Sequence, residues 1–206
     1  MQVEYSDNVR TLRSADVVAL RVVKLSDPHM APLRDFVETR RKAQPDLEFP
    51  DFDPCDGGLA ADILFLFEKP GPMTSKNRNG SGFISRNNDD PTAEATFRFM
   101  KIANLPRERT IIWNVVPGWN GSRKITASEL SAGVDDLKEL LLLLTNLRTI
   151  VLVGQKAQRA ISLVEPLGLR IVTSAHPSPL VRARYPAVWN AIPSSWALAG
   201  RAPTPV

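Results

Sequence analysis

Four short apolar segments recur along the chain, each followed by glycine, proline or polar residues. The first, Ala61–Phe67, reads ADILFLF and lies between Gly58 and the sequence PGP. A continuous apolar run of this length, with turn residues on both sides, is typical of a strand buried on both faces. Three runs rich in β-branched residues follow: Thr110–Val116, Thr149–Gly154 and Leu169–Ala175. The pattern predicts four buried strands.

Helical patterns separate these strands. The sequence DPTAE at residues 90–94 is typical of an N-cap followed by proline, and it predicts a helix to about residue 103. The sequence TASE at residues 126–129 forms a capping box that opens a helix to about residue 146, and residues 155–164 predict a shorter helix. This alternation predicts an α/β fold with three αβα layers and a central, mostly parallel four-stranded sheet.

The length of 206 residues fits a single domain spanning residues 1–206. Within it we expect a helical lead-in and loop over residues 1–60, an α/β core that carries the motifs over residues 61–184, and a C-terminal segment over residues 185–206. The lead-in has helical spacing in Val9–Val23 and Pro32–Lys42, followed by a loop-like stretch, Gln44–Gly58, that is rich in proline and aspartate. We expect the protein to be a monomer.

The amino-acid composition excludes several kinds of site and partner. The single cysteine, Cys55, cannot form an internal disulfide and cannot supply the thiolates of an iron–sulfur cluster or a structural zinc site, so we expect no metal. We expect no cofactor either. No apolar run approaches the ~20 residues that cross a bilayer, so we expect no membrane partner. The N-terminal sequence MQVEYSDNVR lacks a basic cluster and an apolar region typical of secretion, which predicts a cytoplasmic protein.

Charge is unevenly distributed along the chain. The net charge is +4, the first sixty residues are net acidic, and cations without acids occupy Lys69–Arg86 and the stretch after Glu165. Such stretches favour a polyanionic partner, although a modest positive excess can also serve solubility alone.

Polar motifs follow the predicted strands, where ligands of parallel α/β sheets bind. EKPGP follows the first strand, IIWNVVPGWN contains the second, and AHPSPL follows the fourth. Together, in this order, they resemble the motifs of the uracil-DNA glycosylase superfamily, over roughly Asp62–Arg184. HPSPL is the most specific of them.

The resemblance implies roles for several residues. His176 would donate a hydrogen bond to a uracil carbonyl as the base departs, and Asn114 would both donate to and accept from the Watson–Crick edge of uracil. Phe83 would stack on the base, and Pro70 and Gly71 would contact it. The alternatives are a capping histidine, an asparagine that satisfies a buried turn, and a phenylalanine of the core.

Lys69 departs from the family pattern. In the family, the residue before this proline is an aspartate or asparagine that positions the attacking water, or an alanine. A protonated lysine cannot act as a base, so backbone carbonyls or another side chain would hold the water; candidate side chains are Glu68, Asn87, Asn88 and Asp89. Alternatively, Lys69 would attack the sugar as an amine, contact a phosphate, or be a solvated loop charge.

The resemblance also implies a DNA-binding surface. Ser178, Pro179 and Leu180 would pinch the backbone, with Leu180 as the apolar wedge. Four cations on two loops would contact phosphates; they are Arg182, Arg184, Lys76 and Arg78.

These observations predict a monofunctional uracil-DNA glycosylase that flips deoxyuridine out of DNA and hydrolyses its N-glycosidic bond. Hypoxanthine or xanthine are alternative bases. A second alternative is a non-catalytic nucleic-acid binding module on the same fold, in which Lys69 marks lost chemistry.

Overall fold

The computed structural model describes residues 7–201 of the chain. Short 3₁₀ helices occur in several of its loops. The helices and strands are, in chain order, α1 (Ala15–Lys24), α2 (Ala31–Ala43), β1 (Asp51–Phe52), β2 (Ile63–Phe67), β3 (Phe83–Ile84), α3 (Pro91–Ile102), β4 (Thr110–Asn114), α4 (Ala127–Leu143), β5 (Thr149–Val153), α5 (Ile161–Val164), β6 (Arg170–Ser174), α6 (Pro179–Arg184), α7 (Pro186–Asn190) and α8 (Ile192–Ala197).

The central sheet has four parallel strands in the order β4-β2-β5-β6. Every residue of β2, β4 and β5 is buried, which explains why these strands read as continuous apolar runs. The expected four-stranded parallel sheet is therefore confirmed. Each observed strand is slightly shorter than the apolar run that predicted it.

Helices cover both faces of the sheet. On one face, the Trp196 ring of α8 packs edge-on against Phe65 with 4.9 Å between centroids, and α3 packs against α8. On the other face, Trp113 of β4 stacks on Phe52 of β1 at 4.1 Å, and Phe36 of α2 meets Trp113 edge-on at 5.7 Å. The three-layer αβα arrangement follows from these two aromatic clusters.

The predicted helix starts are present. Asp90 caps α3 by accepting hydrogen bonds from the backbone N–H groups of Thr92 and Ala93, and the capping box between Thr126 and Glu129 opens α4. The predicted helix over residues 155–164 is instead a 3₁₀ turn followed by the four-residue α5.

Two features differ from the sequence prediction, and a third, the helices of the C-terminal segment, was not predicted. The loop-like stretch over residues 44–58 contains β1, which pairs in parallel with β3. The C-terminal segment is largely helical, with α7 and α8 completing one outer layer. The first helix of the lead-in begins at Ala15, because a 3₁₀ turn occupies residues 11–13. Within residues 7–201, no helix is long and apolar enough to cross a bilayer.

Candidate active site

A cavity of about 490 Å³ opens at the carboxyl ends of β2 and β4, beside the segment that follows β6. This volume lies in the range of small-molecule sites, about 300–1,000 Å³. Phe67 ends β2, Asn114 ends β4, and His176 comes two residues after β6; all three line the cavity. Because the strands are parallel, motifs far apart in sequence meet here.

Asn114 presents its amide to the cavity. It pairs in register with Phe67, so the two side chains lie on the same face of the sheet. Asn114 is only 5% exposed, yet its amide forms no hydrogen bond with any group among residues 7–201. A nearly buried amide without a protein partner is costly unless a ligand or water satisfies it.

His176 is held against the apolar wall of the cavity. Its imidazole meets the Phe67 ring edge-on, with 5.7 Å between centroids. Burial lowers the pKa of His176, and Arg123 lowers it further, while the negative charges of Glu68 and Asp90 oppose the shift. The imidazole is therefore neutral at neutral pH, and it can donate one hydrogen bond without carrying a charge.

The loop after β2 forms a second wall. Glu68, Pro70 and Gly71 all line the cavity. The Glu68 carboxylate is turned toward the end of β5, where its Oε1 accepts a hydrogen bond of 3.0 Å from the backbone N–H of Lys156. Gly71 has ordinary extended backbone geometry, and the space where a Cβ would project is open. A side chain at this position would therefore meet no neighbouring atom.

Lys69 ties this loop to the segment after β4. Its ammonium donates to Glu129 Oε1 at 2.6 Å, to the Lys124 carbonyl at 3.0 Å and to Asn120 Oδ1 at 3.1 Å. The Lys69 side chain is 3% exposed. These contacts occupy all three donors of the ammonium, and we call this arrangement the Lys69 clasp. Burial works to raise the pKa of Glu129, but hydrogen bonds from Lys69 and Thr126 outweigh burial and lower it.

Phe83, the predicted stacking residue, does not line the cavity. Its side chain is fully buried in β3, and the next residue, Ile84, lines the cavity instead. Successive residues of a strand point to opposite faces, so only one of the two can face the cavity. The alternative that Phe83 belongs to the core matches its placement. The apolar wall of the cavity comes from Phe67, Ile84 and Ile112.

Three of the predicted water-holding residues are engaged in other contacts. Asn87 Oδ1 accepts a hydrogen bond of 3.0 Å from the Arg21 guanidinium, and its side chain is fully buried. Asn88 Oδ1 accepts from the Ser81 hydroxyl at 2.6 Å, while its Nδ2 donates to a backbone carbonyl. Asp89 forms a half-exposed ion pair with an arginine at 3.0 Å. Their side chains therefore hold the cavity wall in place.

A buried ionic cluster supports this wall from behind. Asp53 pairs with Arg21 and, at 2.5 Å, with Arg107; Asp56 pairs with Arg107 at 2.9 Å and with Arg86 at 3.3 Å. Burial works to raise the pKa of Asp53, but Arg107 and Arg21 lower it overall. Burial raises the pKa of Asp56 to about 6 against the pull of Arg86 and Arg107. Residues 7–60 thus contribute to the site by fixing the chain after β3.

Asp90 and Arg123 also line the cavity, although no sequence motif assigns either residue to the site. Burial raises the pKa of Asp90, while hydrogen bonds from the backbone of α3 and the charges of Arg10 and Arg123 oppose this shift. The N-cap pattern at Asp90 located the start of α3 correctly. Nothing in that pattern shows that the capping carboxylate also faces a cavity.

The predicted DNA-binding residues lie on two short segments: Ser178 and the helix α6 that it caps, and a 3₁₀ turn at residues 76–78. The loop expected after His176 is therefore helical from Pro179. Ser178 caps α6 by accepting a hydrogen bond from a backbone N–H, and Pro179 lines the cavity rim. Leu180 follows directly and is 73% exposed. The predicted phosphate-binding cations are all exposed; they are Arg182, Arg184, Lys76 and Arg78.

Comparisons with known proteins find a family match for the region around this cavity. The sequence profile of the Uracil DNA glycosylase superfamily matches residues 55–193. Among solved structures, the chain is similar to the solution NMR structure of a "putative Uracil DNA glycosylase" from Methanosarcina acetivorans, with 18% identity and a TM-score of 0.48 over 68% of this chain and 92% of that chain. No curated protein matches the chain. The matched residues include every residue that lines the cavity.

Proposed function

Because the chain belongs to the uracil DNA glycosylase superfamily, we propose that it is a DNA repair enzyme that excises uracil. It flips deoxyuridine out of DNA and hydrolyses the N-glycosidic bond, leaving an abasic site. The observation that carries this proposal is the pair Asn114 and His176, whose polar side chains line one cavity without protein hydrogen-bond partners among residues 7–201. A flipped base offers the complementary groups.

Asn114 is the residue proposed to read the base. Its amide carries both an acceptor oxygen and two donor hydrogens, so it can bond the N3–H and an adjacent carbonyl of uracil together. The ring then rests in the apolar part of the cavity, formed by Phe67, Ile84 and Ile112. The open space at Gly71 leaves room beside the base, so larger bases such as hypoxanthine and xanthine belong in the test.

His176 is proposed to stabilise the departing base. As the N-glycosidic bond breaks, its electron pair moves onto the base, which leaves as an anion. The neutral imidazole, favoured by the lowered pKa, donates a hydrogen bond to the carbonyl oxygen that gains this charge. Removal of one such donor typically costs about 10²–10³ in rate.

The attacking water needs an acceptor on the cavity wall. Lys69 does not meet this requirement, because its ammonium donates to three oxygens and has no lone pair to offer. The same contacts argue against Lys69 as an amine nucleophile, which must be neutral and free. Two carboxylates on the wall, those of Glu68 and Asp90, have the required chemistry.

The exposed rim is proposed to hold the DNA. Leu180 would fill the gap that the flipped nucleotide leaves, with Ser178 and Pro179 against the backbone. Arg182, Arg184, Lys76 and Arg78 would neutralise phosphates, which makes affinity fall as salt rises.

Base release from oligonucleotides tests the proposal. Single- and double-stranded substrates carry one uracil, hypoxanthine, xanthine or thymine, and release is read as alkali-sensitive strand breaks, with borohydride trapping alongside. We expect uracil release without a trapped complex, and a loss of about 10²–10³ in rate for His176→Ala.

The other histidine supplies the matched control. His29 lies away from the cavity beside the Pro54 carbonyl, so His29→Gln should release uracil at the wild-type rate. Trapping with borohydride would contradict the hydrolytic mechanism. Salt-sensitive DNA binding without release of any base would contradict the enzyme and favour a binding module, and release of hypoxanthine or xanthine alone would reassign the substrate.

A further inference from the structure

Asp90 is a carboxylate of the cavity wall whose position is fixed by the backbone. Its Oδ1 accepts hydrogen bonds from the N–H groups of Thr92 at 2.8 Å and Ala93 at 3.0 Å. Among the described residues, no group donates to its Oδ2. One oxygen is therefore anchored to the first turn of α3, while the other is available to a ligand in the cavity.

We propose that Asp90 is the residue that holds and activates the attacking water. This inference rests on the proposed function. The acceptor must line the cavity, have a free oxygen and be held rigidly. Asn87 and Asp89 do not line the cavity, and the Asn88 amide is bound by protein groups at both its oxygen and its nitrogen. Asp90 meets all three requirements.

Glu68 is the remaining competitor for this role. Its carboxylate is turned toward the end of β5, where a Cβ on Gly154 would come within 2.4 Å of Oε1. It has one more rotatable bond than Asp90, and one backbone N–H holds it where two hold Asp90. Asp90 is therefore the better-ordered acceptor, and fixed geometry is what positioning of a nucleophile requires.

The charge environment of Asp90 suits proton transfer. Burial raises its pKa, and a more basic carboxylate takes a proton from water more readily. The charged groups that act on it are Arg10, which precedes α1, and Arg123 from the segment between β4 and α4. The titratable imidazole of His176, after β6, interacts with Asp90 as well. The negative charge also favours the positive charge that develops on the deoxyribose.

The step balances with groups already present. The water oxygen forms a bond to C1′ of the sugar, and Asp90 Oδ2 accepts a proton from that water. The electron pair of the C1′–N1 bond leaves with the base, which His176 stabilises as an anion. Solvent then protonates the base and takes the proton from Asp90, so the enzyme returns to its starting state.

The test compares Asp90→Asn with Glu68→Gln in single-turnover uracil release. Asparagine still caps a helix, so Asp90→Asn should keep the thermal stability of the wild type. The variant lacks only the carboxylate that accepts the proton from water. We expect its rate to fall by about 10²–10³, within the usual contribution of a general base, and Glu68→Gln to fall less than about fivefold. Binding to abasic product DNA should not change in either variant.

A pH profile separates a catalytic role from a structural one. The wild-type rate should fall on the acidic side as Asp90 takes up a proton, at a pH above the ordinary aspartate value of about 3.9, and this limb should be absent in Asp90→Asn. A wild-type rate in Asp90→Asn, or the large loss in Glu68→Gln instead, would overturn the assignment. A wild type that releases no base would refute the proposed function itself, and the role of Asp90 with it.

Discussion

Within the described part of the chain, polar side chains have protein partners in the buried ionic cluster, but some lack them at the cavity. In the cluster, Asp53 and Asp56 are surrounded by arginines, and each charge has an opposite charge beside it. At the cavity, Asn114 is buried and His176 is partly buried, and neither side chain forms a hydrogen bond with any group among residues 7–201. Ion pairs hold the side chains of the first arrangement inside the fold, whereas the polar groups of the second face the cavity. The contrast separates polar groups that stabilise the fold from those kept available for a ligand.

The largest expected effect comes from opening the ionic cluster. Asp53→Ala leaves Arg21 and Arg107 buried with less compensating charge, so the free energy of unfolding should fall by about 3–5 kcal/mol. Urea denaturation measures this loss. The matched control is the exposed pair of Lys138 and Asp135, where Asp135→Asn should change the midpoint very little. Equal losses of unfolding free energy in the two variants would show that the buried cluster stabilises the fold no more than an exposed ion pair does.

At the cavity, the same kind of change should affect activity and leave stability intact. Asn114→Ala removes the proposed base-reading amide, so kcat/KM for uracil release should fall by about 10²–10³, or about 3–4 kcal/mol in transition-state stabilisation. Its unfolding free energy should stay the same or rise, because an amide with no protein partner is removed. Loss of stability together with activity would place Asn114 among the structural groups.

The Lys69 clasp lies between the two regions and should give an intermediate result. Lys69→Met leaves Glu129 without its strongest partner and should cost about 1–2 kcal/mol of stability. Uracil release should fall less than about tenfold, since the ammonium holds the loop and takes no part in bond breaking. Unfolding free energy and single-turnover rate, measured on one preparation of the variant, show whether Lys69 acts on the fold or on the reaction. A rate loss as large as that of Asn114→Ala would return Lys69 to the catalytic residues.

The exposed rim should show the smallest effects, and these should depend on salt. Each of Arg182→Gln and Arg184→Gln should reduce the salt dependence of DNA binding by about one phosphate contact and leave folding unchanged. Fluorescence anisotropy at several salt concentrations measures the slope. The substitution Lys138→Gln, on an exposed part of α4, is the control. An unchanged slope in both arginine variants would exclude α6 from the DNA-binding surface.

The sequence predicted the sheet and the residues at its carboxyl edge because both depend on local patterns. Continuous apolar runs located β2, β4 and β5. The carboxyl ends of parallel strands meet at one edge of the sheet, and this does not depend on the conformation of the loops. The N-terminal caps of α3 and α4 were also predictable, because each cap involves residues within three positions of one another.

Features that depend on long-range contacts were not predictable. The choice between Phe83 and Ile84 at the cavity depends on the pairing of β3 with β1, two residues on each strand. The partners of Lys69 are more than fifty residues away, and so is Arg21 from Asn87. A hydrophobic pattern carries no signal for such contacts, so the sequence alone left the role of Lys69 open.

Binding of the free base, followed by NMR, tests the central claim most directly. On titration with uracil, the side-chain amide signals of Asn114 and the imidazole signals of His176 should shift together. The side-chain amide of Asn87, which the ionic cluster holds, should not move. Signals of Asn114 and His176 that stay unchanged at saturating uracil, or shifts confined to the cluster, would contradict the claim that the unpaired groups of the cavity bind the base.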